Sequence, residues 1–211
     1  MNPVVYPIFS SPVIALSVKE DISRIKKAAK RQKFTSNDGE QFGSKNCFIS
    51  NTHSFLDKFP KEKQILQAYF EFFKNEILRY TNTNFEITTS WVTKAVEGSQ
   101  SHYHRHRNSM FSGVLYLDNI ENSGKLMFEN ENLNPCSFLL EPSDYNIYNS
   151  TTWEIQPKEN IVVFFPSFLR HKIGIHLSKT PRYSIAFNFH PVGRIGYNDS
   201  SVDISLNPHE Y

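Results

Sequence analysis

From residue 85 to residue 190 the hydrophobic pattern of the chain runs with a period of two, and it is broken at short intervals by turn residues. Candidate strands are 85–96, 101–107, 110–118, 124–129, 137–148, 153–156, 161–165, 171–176 and 182–190. Between them fall Glu97-Gly98, Asn122-Ser123-Gly124, Asn134-Pro135, Glu141-Pro142 and Pro157. Nine short strands with punctuation of this kind close into a β-sandwich or jelly roll. Two helical segments precede them. Residues 19–33 carry Ile22, Ile25 and Ala29 at helical spacing, with Asp21 or Ser23 near the start as a cap. Residues 60–80 carry the stripe Ile65, Leu66, Tyr69, Phe70, Phe73, Ile77 and Tyr80, and Pro60 suits a first-turn position. That stripe reads as core packing against a sheet. Residues 4–18 give one or two short strands around prolines, 34–58 read as a long polar loop or flap, and 191–211 as an irregular tail. The expected fold class is mostly β with flanking helices, the helices packed on one side of the jelly roll.

The chain has 211 residues, 39% of them hydrophobic, which suits one domain with a sizeable core. A net charge of +2 gives no support to a nucleic-acid or membrane-surface role. The basic run Lys26, Lys27, Lys30, Arg31 and Lys33 reads as a solvated helix face. The N-terminal stretch lacks a basic region ahead of its apolar residues and holds Pro3, Pro7 and Pro12, so it reads neither as a signal peptide nor as a membrane span. Cys47 and Cys136 make no disulfide framework, and a cytoplasmic setting with reduced thiols is expected.

The chemistry concentrates in SHYHRHRNS, which holds His102, His104 and His106. In an extended segment residues two apart share a face, and their side chains start roughly 6.5–7 Å apart. Two imidazoles so placed converge on one ion through bonds of about 2.0–2.1 Å. Three consecutive ones are a stretch, so two ligands are expected from this set. The competing reading is a histidine-rich surface strand. A second segment, NIVVFFPSFLRHKIGIH, runs an apolar strand into a Pro166 turn and delivers His171. Eleven residues later Arg182 and Ser184 open the apolar strand SIAFNF. An arginine entering a β-core is costly unless it meets an anion. With a serine beside it, it suits a carboxylate. The competing reading of Arg182 is a structural salt bridge.

His104-x-His106-x-Asn108-Ser109, Ser112-Gly113-Val114-Leu115-Tyr116-Leu117, Phe165-Pro166-Ser167-x-x-x-His171 and Arg182-x-Ser184-Ile185-Ala186-Phe187-Asn188, in this order, resemble the Fe(II)/2-oxoglutarate-dependent oxygenase superfamily. More narrowly they resemble a prolyl-hydroxylase-like branch of oxygenases found in phages and marine bacteria, and the opening YPIFSSPV is similar to the start of that branch. The resemblance implies a double-stranded β-helix, a cupin-like jelly roll. It implies one oxygenase domain over 1–211, with 1–84 as strand and helix support, 85–190 as the β-helix core and 191–211 as the tail. It also implies Fe(II) as cofactor, 2-oxoglutarate as cosubstrate, and His104 and His171 as metal ligands, with His106 as the third on the pattern of the narrower branch. Arg182 takes the position that binds the far carboxylate of 2-oxoglutarate, Ser184 that of its helper and Tyr116 that of a tyrosine on the same carboxylate. Asn108 and Asn188 are further candidates for the cosubstrate pocket.

One departure stands out. The superfamily pattern places Asp or Glu two residues after the first histidine, where this chain has His106. Three outcomes are open: a three-histidine site, entry of another carboxylate with Glu129 the best candidate, or loss of activity. His102 is a spare ligand. The expected function is hydroxylation of an unknown substrate, a peptidyl proline or other side chain being the leading analogy and a small molecule fitting as well. The protein would work in the cytoplasm, or the host cytoplasm if phage-encoded. The alternatives are a cupin-type metalloenzyme that does not use 2-oxoglutarate, and a non-enzymatic jelly-roll virion or binding protein. Oligomeric state is not readable from the sequence.

Overall fold

In the computed structural model the described residues are 4–37, 44–131 and 141–206. Their strands are β1 (Ile14–Ser17), β2 (Phe34–Ser36), β3 (Lys45–Ser50), β4 (Asn84–Gln100), β5 (Phe111–Tyr116), β6 (Leu126–Glu129), β7 (Thr152–Ile155), β8 (Ile161–Pro166), β9 (His171–Ile173), β10 (Arg182–Ile195) and β11 (Val202–Ile204). The helices are α1 (Ser23–Lys30) and α2 (Pro60–Phe72), the latter continued by a π-helical turn over Phe73–Leu78. The larger sheet has the order β1-β8-β5-β10-β4-β3-β2, with β11 on the far end of β10, and the smaller has the order β7-β6-β9. Every ladder is antiparallel. The two sheets face each other as in the jelly roll expected from the alternating pattern, the double-stranded β-helix that the resemblance implies.

Strict alternation gives each strand of the larger sheet two separate faces. On β10, Ile185, Phe187 and Phe189 join Phe111, Leu115, Val162 and Phe164 in the core that α1 and α2 cover. Phe70 of α2 sits at its centre, fully buried, stacked on Phe189 at 3.9 Å between ring centroids and edge-on to Phe85 and Phe164. The opposite faces of β5 and β8 turn Val114, Tyr116, Val163 and Phe165 toward Leu126 and Phe128 of the smaller sheet. On that inner face β10 presents Arg182, Ser184 and Ala186, which line the cavity between the sheets.

Four expectations change. Residues 34–58 are not one loop. β2 and β3 extend the larger sheet beyond β4, because Cys47, Phe48 and Ile49 are strand formers whose polar flanks mask the alternation. Residues 101–107 are extended but form no strand, since β9 opposite them is only three residues long. Their single bridge pairs His104 with His171. Of 137–148, residues 137–140 and Cys136 lie outside the described residues, and 141–148 make turns. There Asn146 Oδ1 accepts the Tyr148 N–H and Asn149 Oδ1 accepts the Asn146 N–H, occupying groups that a ladder would need. Finally, β10 runs past residue 190 to Ile195 and pairs with β11.

Phe70→Ala should lower unfolding free energy by roughly 3–5 kcal/mol, the usual range for deleting a buried aromatic ring. Urea denaturation measures it, and a change below about 1 kcal/mol would remove Phe70 from the centre of the core.

Candidate metal and cosubstrate site

His104 and His171 are brought together by the backbone. Each donates its N–H to the other's carbonyl at 2.9 Å. The His106 N–H is in turn bonded to the Ser167 carbonyl at 3.1 Å, which holds the segment against the turn that follows β8. One ligand atom from each of His104, His106 and His171 lies within 4.8 Å of the other two. The ring centroids are 4.4 Å apart for His104 and His171, 5.0 Å for His106 and His171, and 5.4 Å for His104 and His106.

The outward nitrogens are committed. His104 Nδ1 is 3.0 Å from the His102 carbonyl, and His171 Nδ1 is 2.8 Å from the Leu169 carbonyl. A carbonyl only accepts, so each Nδ1 carries the proton and each Nε2 keeps a lone pair. His106 Nδ1 lies 2.7 Å from Asn188 Oδ1 and 2.8 Å from Ser112 Oγ. Burial pushes the imidazoles down: His104 below its usual range, His106 from 6.5 to about 4, and His171 from 6.5 to about 3. At neutral pH all three are uncharged, the form that binds a metal.

Among the described residues this group contains no carboxylate. Glu129 forms an ion pair with Arg170, while its neighbour Phe128 turns inward to lie 6.0 Å from the His171 ring. Alternation along β6 therefore aims Glu129 away from the histidines. His102 is held by Ser44, whose Oγ is 2.5 Å from its Nδ1, and it stays outside the group of three.

The same three histidines and Arg182 line one cavity of about 390 Å³. Arg182 is 2% exposed. Its guanidinium lies over the Tyr116 ring at 5.3 Å, yet Arg182 Nε, Arg182 Nη1 and the Tyr116 hydroxyl have no hydrogen-bond partner among the described residues. Burial pushes the Arg182 guanidinium below its usual range and the Tyr116 phenol above its own. A buried cation with open donors is expensive to keep without an anion. A carboxylate would satisfy these donors, so they fit the distal end of 2-oxoglutarate. Ser184 Oγ is 2.6 Å from Thr93 Oγ1 on the same wall. Asn108 is not part of this cavity. It is exposed, its backbone is left-handed with φ of 56°, and it lines an outer hollow that His104 and His106 also border, with Tyr103, Arg105 and Arg107.

Residues 89–188 match the family model described as "Putative 2OG-Fe(II) oxygenase", a span that holds the three histidines, Tyr116 and Arg182. Just under half of the chain thus resembles the 2OG-Fe(II) oxygenase family, and that half carries the candidate site. The family match and the three-histidine group are those of an oxygenase that uses iron and 2-oxoglutarate. Solved structures share the oxygenase's fold at low identity. A 2OG-Fe(II) oxygenase family oxidoreductase from Burkholderia pseudomallei superposes with a TM-score of 0.61 at 10% identity, covering 84% of each chain. HygX from Streptomyces hygroscopicus, solved with nickel, 2-oxoglutarate and hygromycin B, gives 0.58 at 8% identity over 85% of this chain and 82% of its own. A Trichoplax adhaerens prolyl hydroxylase in complex with a hypoxia inducible factor peptide gives 0.56 at 13%, over 84% of this chain and 82% of its own. No curated protein matches the chain significantly.

Sequence reasoning passed over several residues of the oxygenase's cavity. Trp91, read as core or rim, lies 5.7 Å from the His106 ring, and Thr93, Phe48, Ile49 and His53 line the same space. Trp91 and Thr93 were visible in principle. They share a face of β4 and oppose Ala186 and Ser184 in register. Phe48 and Ile49 came from a segment read as loop.

The depressed histidine pKa values carry a stability consequence. In the unfolded chain these groups titrate near 6.5, so the stability they confer is complete above that pH. It is lost as pH falls from 6.5 toward about 4 for His106 and about 3 for His171. The urea midpoint of metal-free protein should therefore decline below about pH 6.5, before carboxylates titrate, and the decline should shrink in His171→Gln. A midpoint unchanged between about pH 7 and pH 5 would contradict the burial of neutral imidazoles.

Proposed function

We propose that this oxygenase hydroxylates a peptidyl side chain, proline foremost, with iron held by His104, His106 and His171 and 2-oxoglutarate anchored by Arg182. The observation that carries the assignment is the sharing of one cavity by three neutral imidazoles and a buried guanidinium with open donors. When bound, iron and 2-oxoglutarate supply an oxidant made from dioxygen as the keto acid is converted to succinate and carbon dioxide.

The chain's own residues supply geometry and exclusion. Arg182 and Tyr116 bind the far carboxylate and thereby fix how far the keto acid reaches toward the histidines. Ser184 and Thr93 line the wall alongside it, and the small side chain of Ala186 leaves room for it. Three histidines leave other coordination positions for the cosubstrate and oxygen. Phe48, Ile49 and Trp91 give the cavity an apolar wall suited to a compact side chain such as a pyrrolidine ring. The likeness in fold to a prolyl hydroxylase solved with its peptide is in keeping with a peptide substrate. A cytoplasmic setting fits a ferrous site. No helix among the described residues is long and apolar enough to cross a membrane.

Protein supplied with Fe(II), ascorbate and 2-oxoglutarate should form succinate slowly without substrate and faster with a proline-bearing peptide. His171→Ala should abolish metal binding. Arg182→Ala should weaken 2-oxoglutarate by roughly 30-fold or more, as expected for loss of a buried charged partner worth about 2–5 kcal/mol, while metal affinity changes little. Unchanged 2-oxoglutarate affinity in Arg182→Ala would remove its role and favour a cupin-type enzyme that binds its substrate directly.

A further inference from the structure

We propose that Asn188 is a positioning residue for His106, holding that imidazole in the tautomer whose Nε2 faces the metal. This rests on the three-histidine reading of the site. It goes beyond that reading by assigning the group that makes a histidine serviceable where the family pattern has a carboxylate.

His104 and His171 have their Nδ1 protons fixed by backbone carbonyls, which can only accept. His106 has no such partner. Its Nδ1 faces two side chains, the Asn188 carboxamide and the Ser112 hydroxyl. A hydroxyl can donate or accept and so fixes nothing by itself. The carboxamide decides, because its two ends differ. Asn188 Nδ2 donates to Thr89 Oγ1 at 3.0 Å, and Oδ1 lies on the side of His106. Ser112 Oγ donates to the same Oδ1 at 2.9 Å and is itself 2.8 Å from Ser167 Oγ, which lies 2.9 Å from Ser109 Oγ. With Oδ1 as the acceptor, the proton sits on His106 Nδ1 and the Nε2 lone pair is free. Reversing the carboxamide would set an N–H against Nδ1, move the proton to Nε2 and remove the ligand.

The backbone is arranged for this contact. The register between β10 and β4 shifts between Asn188 and Phe189, so Asn188 lies opposite Thr89 while Phe189 lies opposite Ile87. Thr88, the extra residue, donates its hydroxyl to the Asn188 carbonyl at 3.3 Å. A bulge at this point re-aims the side chain of the residue beside it. Asn188 therefore belongs behind His106 and not among the groups that touch 2-oxoglutarate.

The test uses Co(II) as the metal, with affinity and visible ligand-field spectrum as readouts, together with long-range proton–nitrogen NMR of the histidine rings in metal-free protein. In the wild type all three rings should be protonated on Nδ1. Asn188→Leu should weaken Co(II) binding by about 10- to 100-fold, the usual cost of losing a partner behind a metal ligand, and should shift His106 toward the Nε2-protonated form. Asn188→Asp keeps an acceptor at the same place and should bind Co(II) within a few-fold of wild type or more tightly. Wild-type affinity and an unchanged His106 tautomer in Asn188→Leu would overturn the proposal. So would an Asn188→Asp protein as weak as Asn188→Leu. If Asn188→Leu does not fold, the wild-type NMR spectrum still decides, since His106 protonated on Nε2 contradicts the proposal outright. Failure of wild-type protein to bind Co(II) better than His171→Gln would instead overturn the three-histidine reading itself.

Discussion

Two hydrogen bonds between the backbones of His104 and His171 hold the site together. They join a segment with no strand of its own to the first residue of β9, and they set two imidazoles side by side before any metal arrives. The rest of the structure serves this pairing. β8 and its Pro166 turn deliver His171, the Ser167 carbonyl positions His106, and the α2 stripe centred on Phe70 fixes the sheet from which β8 and β10 project. A ligand set assembled by main-chain bonds on a packed scaffold loses little entropy on binding, which is how a fold preorganises a metal site.

The electrostatics of the cavity follow from burial. Desolvation keeps three imidazoles neutral where a metal would sit, and it makes a lone guanidinium costly on β10, in the same cavity. A neutral donor set leaves the charge of a divalent ion unreduced. On the proposed assignment a divalent ion there would keep more of its charge than one held by a protein carboxylate, and the far carboxylate of 2-oxoglutarate would meet Arg182. Burying Arg182 with open donors is a stability cost that an anion would offset.

Much of this was legible in the sequence, for identifiable reasons. His104 and His106 stand out by their spacing of two, His171 and Arg182 because they adjoin apolar strands, and the period of two in 182–190 places Arg182, Ser184, Ala186 and Asn188 on one face. The stripe of residues 60–80 read as helix because tertiary packing agreed with local propensity. What escaped depended on long-range pairing. β3 is an edge strand with polar flanks, and 101–107 is extended only through its contacts with Ile173, His171 and Ser167. The orientation of Glu129 needed the register of β6 against β9, and the place of Asn188 behind His106 needed a bulge that no local pattern announces.

The central claim is that the three histidines and Arg182 form one composite site for iron and 2-oxoglutarate. The most direct measurement is an anaerobic titration of 2-oxoglutarate into the Fe(II)-loaded protein, followed by visible absorption. A metal-to-ligand charge-transfer band that saturates in the wild type, requires much more 2-oxoglutarate in Arg182→Ala and vanishes in His171→Ala is the expected result. A wild-type protein that binds Fe(II) but develops no such band would contradict the account.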